Sequence, residues 1–297
     1  MPGGGVDSGC TTLSFMGAGS LLSQTRKELR RLDLHAKKGL GQHFLVDEQV
    51  LKSLISAAEL TSNDTVVEVG PGLGILTREL AKKAGRVIAI EVDSRLASVL
   101  KETLALLPNV DIINADVMES DHGALLAKET PYKVVSNLPY YIASAVLRHF
   151  LEAQVKPLLM VVTIQKEVAQ AIVARPGKMS LLSVSVQFYG YPTIVDYVPA
   201  RSFYPPPKVG SAIVRIAPYA QPHVAVEDEA MFFKVVRGGF SAPRKQLHNS
   251  LAQGLKISTA ETAALLREAR ISQKRRAETL SLEEWATIYR LFTEKQC

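Results

Sequence analysis

The feature that most constrains the fold is a regular alternation of apolar runs and helical patterns through the middle of the chain. Each apolar run has the length of a buried strand, and the segments between the runs place apolar residues at helical spacing. Strands that alternate with helices in this way form βαβ units, in which helices cover both faces of a mostly parallel sheet. The sequence therefore predicts an α/β fold of the doubly wound, Rossmann-like class. The predicted strands span 65–70, 86–93, 110–116, 132–137 and 157–164, and the predicted helices between them span 75–84, 94–106, 121–128 and 142–151.

The pattern changes after residue 180. Three strand-like runs, LLSVSVQFYG, TIVDYVP and GSAIVRIAP, follow one another with no helical pattern between them. They predict an antiparallel hairpin that closes one edge of the sheet. After Pro222 the strand patterns stop, and four or five short helical patterns fill the rest of the chain. We therefore predict a small all-α C-terminal domain over 221–297.

The first 25 residues differ from the rest of the chain. They contain no basic residue before Arg26 and lack the continuous apolar core of a secretory signal. We predict a disordered leader over 1–25, followed by a catalytic domain over 26–220. A gene start at Met16 and a mitochondrial transit peptide are the alternatives for the leader.

Composition excludes several classes of protein. The chain of 297 residues is 47% hydrophobic and 22% charged, and charges interrupt its apolar runs before they reach membrane-spanning length. Cys10 and Cys297 are the only cysteines, so we predict no disulfide framework and no metal site, as expected of a cytoplasmic protein. The net charge of +6, from 35 basic and 29 acidic residues, favours a polyanionic partner without establishing one.

A glycine-rich turn, EVGPGLG, follows the first predicted strand at residues 68–74. Glycines are needed at such a turn when the backbone bends tightly and approaches a ligand closely. The spacing of Gly70, Gly72 and Gly74 departs from the dinucleotide pattern, in which the third glycine comes one residue later. Alone, the turn is equally consistent with a plain strand-to-helix connection.

Acidic side chains end the next two predicted strands. Glu91 stands where a carboxylate accepts hydrogen bonds from ribose hydroxyls, and Asp116 stands where one can accept from the amino group of an adenine. Each alone is more often a helix cap. Three ligand-type features at successive strand ends lie on one edge of the sheet and together favour an adenosine-containing cofactor. No further glycine or arginine cluster is placed for a pyrophosphate, so S-adenosylmethionine fits better than NAD.

The fourth strand end carries Asn137-Leu138-Pro139-Tyr140. This tetrapeptide resembles the motif of methyltransferases that act on amino groups, in the form used on adenine in RNA. Taken with GLGQHFL (39–45), EVGPGLGILT (68–77), QKEVAQAI (165–172) and FYPPPKVGSAIVR (203–215), the chain is similar to the KsgA-type small-subunit ribosomal RNA adenine N6-dimethyltransferases over roughly residues 26–295. The resemblance implies a class I S-adenosylmethionine-dependent methyltransferase fold.

The residues of this motif also suit the chemistry. The amino nitrogen of adenine is a poor nucleophile because its lone pair is delocalised into the ring. Hydrogen bonds accepted by the Asn137 oxygen and by a backbone carbonyl near Leu138 would favour a pyramidal nitrogen. Pro139 stiffens the turn, and Tyr140 offers a face for a splayed-out base. The alternative is a plain turn with Asn137 as a helix cap.

The resemblance implies roles for further residues. His43 and Leu45 would bring the chain over the cofactor, and Gly70 would lie beneath its methionine part. Family members often carry Asn in place of His43 and Asn in place of Tyr141, so the roles of these two side chains stay open. The implied cofactor-binding set is His43, Leu45, Gly70, Glu91, Asp116 and Asn137, and the implied catalytic set is Asn137, Leu138, Pro139, Tyr140 and Phe203.

Phe203 belongs to the second set as a stacking face for the target base, held by the proline run that follows it. The alternative is a rigid hairpin loop with core aromatics. In the C-terminal helices, clustered basic residues predict a surface that contacts RNA phosphates, the alternative being solvated helix faces. These residues are Arg244, Lys245, Lys274, Arg275 and Arg276.

The family resemblance implies a monomeric cytoplasmic enzyme that dimethylates two neighbouring adenines in the 3′-terminal hairpin loop of small-subunit ribosomal RNA. Two alternatives remain open at this point. One is the large-subunit methyltransferase type that confers macrolide resistance, and the other is a non-enzymatic RNA-binding assembly or transcription factor on the same fold.

Overall fold

The structure is a computed structural model that describes residues 20–33, 42–119 and 131–295. Its described strands are β1 (Phe44–Leu45), β2 (Thr65–Val69), β3 (Arg86–Glu91), β4 (Val110–Asn114), β5 (Tyr132–Asn137), β6 (Leu159–Gln165), β7 (Gly190–Val198), β8 (Phe203–Tyr204) and β9 (Ser211–Pro218). Its described α-helices are α1 (Leu21–Arg31), α2 (Glu48–Ala57), α3 (Ile75–Ala81), α4 (Ser94–Thr103), α5 (Ala143–Glu152), α6 (Lys166–Ile172), α7 (Leu181–Tyr189), α8 (Glu229–Gly239), α9 (Leu247–Leu255), α10 (Thr259–Glu268) and α11 (Leu282–Glu294). The helix predicted over 121–128 lies outside the described residues.

A seven-stranded sheet forms the centre of the protein, in the order β4-β3-β2-β5-β6-β9-β7. The first five strands are parallel, and β9 and β7 complete one edge as an antiparallel pair. This confirms the predicted doubly wound class and the closing hairpin. The chain moves outward from β2 through β3 to β4 and then returns to β5 on the other side of β2. The carboxyl ends of β2 and β5 therefore flank a topological switch point, where open α/β sheets bind ligands.

One of the three predicted strand runs after residue 180 is wrong, because LLSVSVQFY forms the helix α7. Ser180 and Ser183 form a capping box that starts this helix, and most of its side chains are buried. A helix buried on most sides loses the apolar periodicity that would identify it, so its sequence cannot be told from a buried strand by pattern. The following two runs form β7 and β9 as predicted.

The predicted leader is also too long at its C-terminal end. Ser20 caps α1, which begins at Leu21, and the helix buries Thr25 and Leu29. Leu29 packs with Phe44, and Tyr204 lies against the same small cluster. Residues 1–19 lie outside the described part of the chain.

The C-terminal helices share their core with the sheet domain. Phe188 of α7 stacks on Phe232 of α8 with ring centroids 4.8 Å apart. Trp285 of α11 is fully buried in the same apolar cluster as the strand residue Val134. In the described residues, the chain after β9 forms helices and no strand. The boundary near residue 220 stays a prediction, since the apolar core is continuous across it.

Candidate active site

A cavity opens at the switch point, over the carboxyl ends of β2, β3 and β5. Residues that line it come from the chain before α2, from the glycine turn, and from the ends of β3, β4 and β5. They include His43, Leu45, Glu68, Gly70, Glu91, Asp116, Asn137, Leu138, Pro139, Tyr140 and Tyr141. The structure therefore brings together all six predicted cofactor-binding residues and four of the five predicted catalytic residues.

The glycine turn forms the floor of the cavity. Gly70, Gly72 and Gly74 all have positive φ, at 68°, 59° and 75°, where side chains other than glycine are strained. A Cβ at Gly72 would lie 3.0 Å from Phe44, and one at Gly70 would lie 3.3 Å from Pro139. The glycines are thus required by both backbone conformation and close packing.

Glu91 is held by two backbone donors. The Gly72 N–H donates to its Oε2 at 3.3 Å and the Asp93 N–H donates to its Oε1 at 3.0 Å. Only 4% of the residue is exposed, and this burial raises the pKa of the carboxyl group, against the effect of the two N–H donors. The carboxylate is therefore fixed in position at the cavity wall, with lone pairs left to accept from further donors.

Asp116 stands at the end of the next strand, on the exposed side of the cavity. Its Oδ1 accepts from the Met118 N–H at 2.8 Å, which orients the side chain. Glu91 and Asp116 therefore lie on adjacent parts of one wall, as the sequence predicted.

Asn137 crosses from the β5 end to the opposite side of the cavity. Its amide nitrogen donates to the backbone carbonyl of His43 at 3.0 Å. Because that carbonyl needs a donor, the amide can point only one way, and Oδ1 is left as a free acceptor. Oδ1 is buried and has no hydrogen-bond partner among the described residues. An unpaired buried acceptor is costly, so a site built this way is suited to a ligand that donates.

Leu138 and Pro139 fix the turn that carries this acceptor. The Leu138 N–H donates to the Thr163 carbonyl at 3.2 Å, and the Leu138 side chain is 1% exposed. The Pro139 carbonyl accepts from the Ile142 N–H at 3.2 Å. The tetrapeptide is thus anchored to β6 on one side and to the start of α5 on the other.

Tyr140 is held at both ends of its side chain. Its hydroxyl hydrogen-bonds the Ser211 hydroxyl at 2.5 Å, and its ring lies 5.4 Å from the His43 ring at an angle of 32°. Burial raises the pKa of the Tyr140 phenol, so it stays neutral at physiological pH. These contacts present a fixed aromatic ring at the cavity, as a base-stacking role requires.

The structure assigns a place to the His43 side chain, which the sequence left open. Its Nδ1 lies 2.7 Å from the Pro205 carbonyl, so Nδ1 carries the proton and donates. This bond ties the chain before α2 to the proline loop, next to the antiparallel β1–β8 pair. The His43 side chain therefore positions the cavity wall and supports Tyr140.

Phe203 is the one predicted catalytic residue that the structure does not bring to the cavity. It is 2% exposed, pairs with Leu45 in the β1–β8 ladder and packs in an apolar cluster with Val198. Its ring has no free face for a base to stack on. The alternative of a core aromatic in a rigid loop describes the structure better, because neighbouring residues of a strand point to opposite faces and Phe203 is on the face that packs in the core.

Two further residues line the cavity. Glu68, which lies within β2, was given no role from the sequence, and Tyr141, which follows the tetrapeptide, was left without an assigned role. Tyr141 is 54% exposed, and burial together with Asp116 and Glu91 raises the pKa of its phenol.

The predicted phosphate-contacting surface stays a prediction, and the structure shows which of its five members are exposed and which is paired within the protein. Arg275 forms an ion pair with Glu284 and donates from Nε to the Thr279 hydroxyl at 3.1 Å, so its guanidinium is used within the C-terminal helices. Sequence could not show this pairing because the partner lies nine residues away. The other four predicted residues are exposed: Arg244, Lys245, Lys274 and Arg276.

No cluster of His, Cys, Asp and Glu able to hold a metal ion occurs among residues 20–33, 42–119 and 131–295. In the same ranges no helix has the length and apolar character needed to cross a bilayer.

The cavity fits S-adenosylmethionine by its donor and acceptor chemistry. Gly70 and Gly72 lack side chains and line the cavity, so their backbone is open to a ligand there. Buried, unpaired acceptors at Asn137 Oδ1 and Glu68 Oε2 suit a molecule rich in donors. The acidic wall suits its positive charge.

Comparison with known proteins gives one consistent result. A family model described as ribosomal RNA adenine dimethylase matches residues 34–294. The chain is 50% identical over 285 residues to a ribosomal RNA small subunit methyltransferase A of Dehalococcoides mccartyi, covering 96% of this chain and 98% of that protein. It is 42% identical over 272 residues to the protein of that name from Moorella thermoacetica, covering 88% and 94%.

Two solved structures are similar over most of the chain. A dimethyladenosine transferase from Plasmodium falciparum has a TM-score of 0.73 at 25% identity, covering 86% of this chain and 98% of that one. The 23S rRNA methyltransferase ErmE has a TM-score of 0.66 at 30% identity, covering 84% and 99%.

Proposed function

The chain belongs to the ribosomal RNA adenine dimethylase family, and we propose that it dimethylates two neighbouring adenines at N6 in the 3′-terminal hairpin loop of small-subunit ribosomal RNA. The methyl donor is S-adenosylmethionine. The immature small subunit is the proposed substrate particle, the cytoplasm the proposed location and the monomer the proposed form.

The observation that carries this proposal is the unpaired acceptor of Asn137. Its amide nitrogen is committed to the His43 carbonyl, so Oδ1 faces a ligand as an acceptor only. The N6 group of adenine has two protons to donate. An acceptor fixed at one of them favours the pyramidal form in which the nitrogen lone pair is available.

The other residues orient the two reactants. The cofactor supplies an electrophilic methyl group on its positively charged sulfur. Glu91 and Asp116 would accept from the adenosine part, and Gly70 would lie beneath the methionine part. Pro139 holds the turn, and Tyr140 would stack on the flipped base. Positioning of this kind supplies most of the rate enhancement for a direct displacement, because the reacting atoms need only be held in line.

No strong base is needed at the moment of transfer. After the methyl group has moved, the nitrogen is cationic and loses its proton readily to solvent. Tyr140 is an unsuitable base because burial raises the pKa of its phenol, which keeps it neutral.

The test is transfer of labelled methyl groups from S-adenosylmethionine to immature small subunits. We expect the wild-type chain to label them and Asn137→Ala to lose roughly 100-fold or more in rate, because the alanine removes the acceptor. Asn63→Ala is the matched control, since Asn63 is exposed before the start of β2 and does not line the cavity. It should keep most of the activity.

Unchanged transfer by Asn137→Ala would contradict the assigned mechanism. The same assay decides between the alternatives. Labelling of naked large-subunit RNA with no labelling of small subunits would assign the activity to the ErmE-like type. A calorimetric titration with S-adenosylmethionine that gives no heat would favour a binding factor without catalysis.

A further inference from the structure

An exposed aromatic side chain lies on β7, outside the cavity, and the proposed mechanism does not use it. Tyr197 is the last residue but one of this edge strand, and 51% of it is exposed. Single exposed apolar side chains are normal on protein surfaces. Tyr197 differs from them in two respects, which are its position beside the active-site motif and the basic side chain that lies over its ring.

The sheet register places Tyr197 close to the residue that holds Tyr140. Tyr197 pairs with Ala212 of β9, and Val198, the next residue, pairs with Ser211. The Ser211 hydroxyl is the group that hydrogen-bonds the Tyr140 hydroxyl at 2.5 Å. Because neighbouring strands lie about 4.8 Å apart, the end of β7 passes Ser211 at roughly that distance. Tyr197 therefore stands one strand beyond the support of Tyr140, at the same edge of the sheet.

Lys166 supplies a positive charge at this position. It is the first residue of α6, directly after the carboxyl end of β6, and its N–H donates to the Gly210 carbonyl at 3.0 Å. Its ammonium group lies 5.3 Å from the centre of the Tyr197 ring, which is a cation–π distance. Among the described residues Lys166 has no carboxylate as an ion-pair partner. Its charge is therefore available to an anion from outside the protein.

The other charged groups beside this pair leave it open to an anion. Arg201, on the segment that leaves β7, and Lys208, on the segment that enters β9, are both exposed. Two acidic residues adjoin the pair in sequence. The carboxylate of Asp196 accepts from the Tyr197 N–H at 2.8 Å, so the backbone already holds it, and Glu167 follows Lys166 on α6.

An exposed aromatic ring beside an unpaired ammonium group has the chemistry that binds single-stranded RNA. A base stacks on the ring, whatever its identity, and the cation attracts the phosphate group of the same strand. An RNA strand with one base inside the cavity must continue past the rim of the cavity. Phe203, which was predicted to provide a second stacking face, is buried and cannot meet the next base. Tyr197 offers such a face outside the cavity.

We propose that Tyr197 and Lys166 form a binding site for an unpaired nucleotide of the RNA substrate, close in sequence to the adenine that occupies the cavity. The base of this nucleotide stacks on the exposed part of the Tyr197 ring, and Lys166 contacts a phosphate. The inference rests on the proposed function, since it names a second contact of the same substrate. The site holds the strand in place while the neighbouring adenine is turned into the cavity.

The first test measures KM for immature small subunits and kcat separately, at saturating S-adenosylmethionine. Tyr197→Ala should raise KM roughly fivefold or more, because it removes the stacking face, and should leave kcat within about twofold. Tyr197→Trp should restore the low KM, since an indole also stacks. The affinity for S-adenosylmethionine should not change, because neither Tyr197 nor Lys166 lines the cavity.

Tyr191→Ala is the matched control for this test. Tyr191 is 62% exposed at the other end of β7, away from the carboxyl edge of the parallel strands. This variant should keep the KM of the wild-type chain. A wild-type KM for Tyr197→Ala, or an equal rise in both variants, would overturn the inference.

The charge of Lys166 is tested by the salt dependence of binding to small subunits. Lys166→Gln should lower the slope of log affinity against log salt concentration by about 0.7, as expected for the loss of one phosphate contact on a single strand. Lys101→Gln is the control, because Lys101 is exposed on α4, the helix between β3 and β4 at the opposite edge of the sheet. The same slope for Lys166→Gln as for the wild type would show that Lys166 contacts no phosphate.

A third measurement does not depend on how a substitution affects the rate. A photoreactive benzophenone side chain is introduced in place of Tyr197 or, as the control, in place of Tyr191, and the cross-links to immature small subunits are mapped on the RNA. We expect position 197 to cross-link within a few nucleotides of the methylated adenines and position 191 to give no cross-link there. Absence of that cross-link from position 197 would overturn the inference while wild-type methyl transfer leaves the proposed function intact. No methyl transfer by the wild-type chain would overturn both.

Discussion

At the scale of single residues, the site depends on side chains that hydrogen bonds within the protein already hold in place. Asn137 donates to the His43 carbonyl and keeps its oxygen for a ligand. Glu91 is fixed by two backbone donors, and Tyr140 by the Ser211 hydroxyl. In each case a contact within the protein removes the freedom of a group that would otherwise lose entropy when it bound a ligand.

Tyr140 offers a test that separates its ring from its hydroxyl. Tyr140→Ala removes the stacking face, and we expect the activation free energy of methyl transfer to rise by about 1–3 kcal/mol, which slows transfer roughly 5-fold to 150-fold. Tyr140→Phe loses only the hydrogen bond to Ser211 and should lose at most a few-fold. Ser211→Ala is the matched control and should resemble Tyr140→Phe. The measurement is the transfer rate at saturating cofactor, and a Tyr140→Phe variant as slow as Tyr140→Ala would assign the role to the hydroxyl instead.

The sequence predicted correctly those cavity residues that stand at the carboxyl ends of parallel strands. The carboxyl ends of parallel strands must meet at one edge, so the positions of Gly70, Glu91, Asp116 and Asn137 along the chain are enough to assign them to one cavity. Phe203 could not be placed correctly, because whether an aromatic residue beside a proline run faces the core or the cavity depends on the β1–β8 pairing. Glu68 was given no role because the sequence does not show that a side chain inside β2 is buried at the cavity.

At the scale of elements, the sequence identified the amphipathic helices but mistook the buried helix α7 for a strand. Amphipathic helices such as α2, which buries Val50, Leu51 and Leu54, show their period in the sequence. The helix α7 lies between the sheet and the C-terminal helices and buries residues all round, so its period is lost. Its capping box is a local signal, but two serines three residues apart are too common in sequences to identify a helix start by themselves.

The packing of α8 on α9 depends on two glycines that face each other. A Cβ at Gly254 would lie 2.3 Å from the Gly238 Cα and 2.4 Å from its carbonyl oxygen, so the helix backbones are in direct contact. Gly254→Ala must push the helices apart, and we expect a loss of about 1–3 kcal/mol of unfolding free energy and a Tm lower by several degrees. Gly210→Ala is the control, because its Cβ would meet the Val198 carbonyl at an acceptable 3.4 Å. Equal melting temperatures for Gly254→Ala and wild type would contradict this prediction and would show that the two helices move apart with little loss of unfolding free energy.

At the scale of the whole molecule, one continuous apolar core joins the sheet to the C-terminal helices. The aromatic contacts of α7 with α8 and the burial of Trp285 in the main cluster leave little freedom for the helices to move as a separate body. Exposed basic residues on this part of the chain, Arg244, Lys245, Lys274 and Arg276 among them, are consistent with the proposed RNA partner. The cavity, in contrast, is defined by strand ends and not by surface charge.

The central claim is that this cavity dimethylates two adenines of small-subunit ribosomal RNA. The most direct measurement is mass spectrometry of the 3′-terminal hairpin of that RNA, from a bacterial strain that lacks its own enzyme of this family and expresses either this chain or its Asn137→Ala variant. We expect two adjacent N6-dimethyladenines with the wild-type chain and unmodified adenines with the variant. Unmodified adenines with a folded, expressed wild-type chain, or full dimethylation with the variant, would contradict the account.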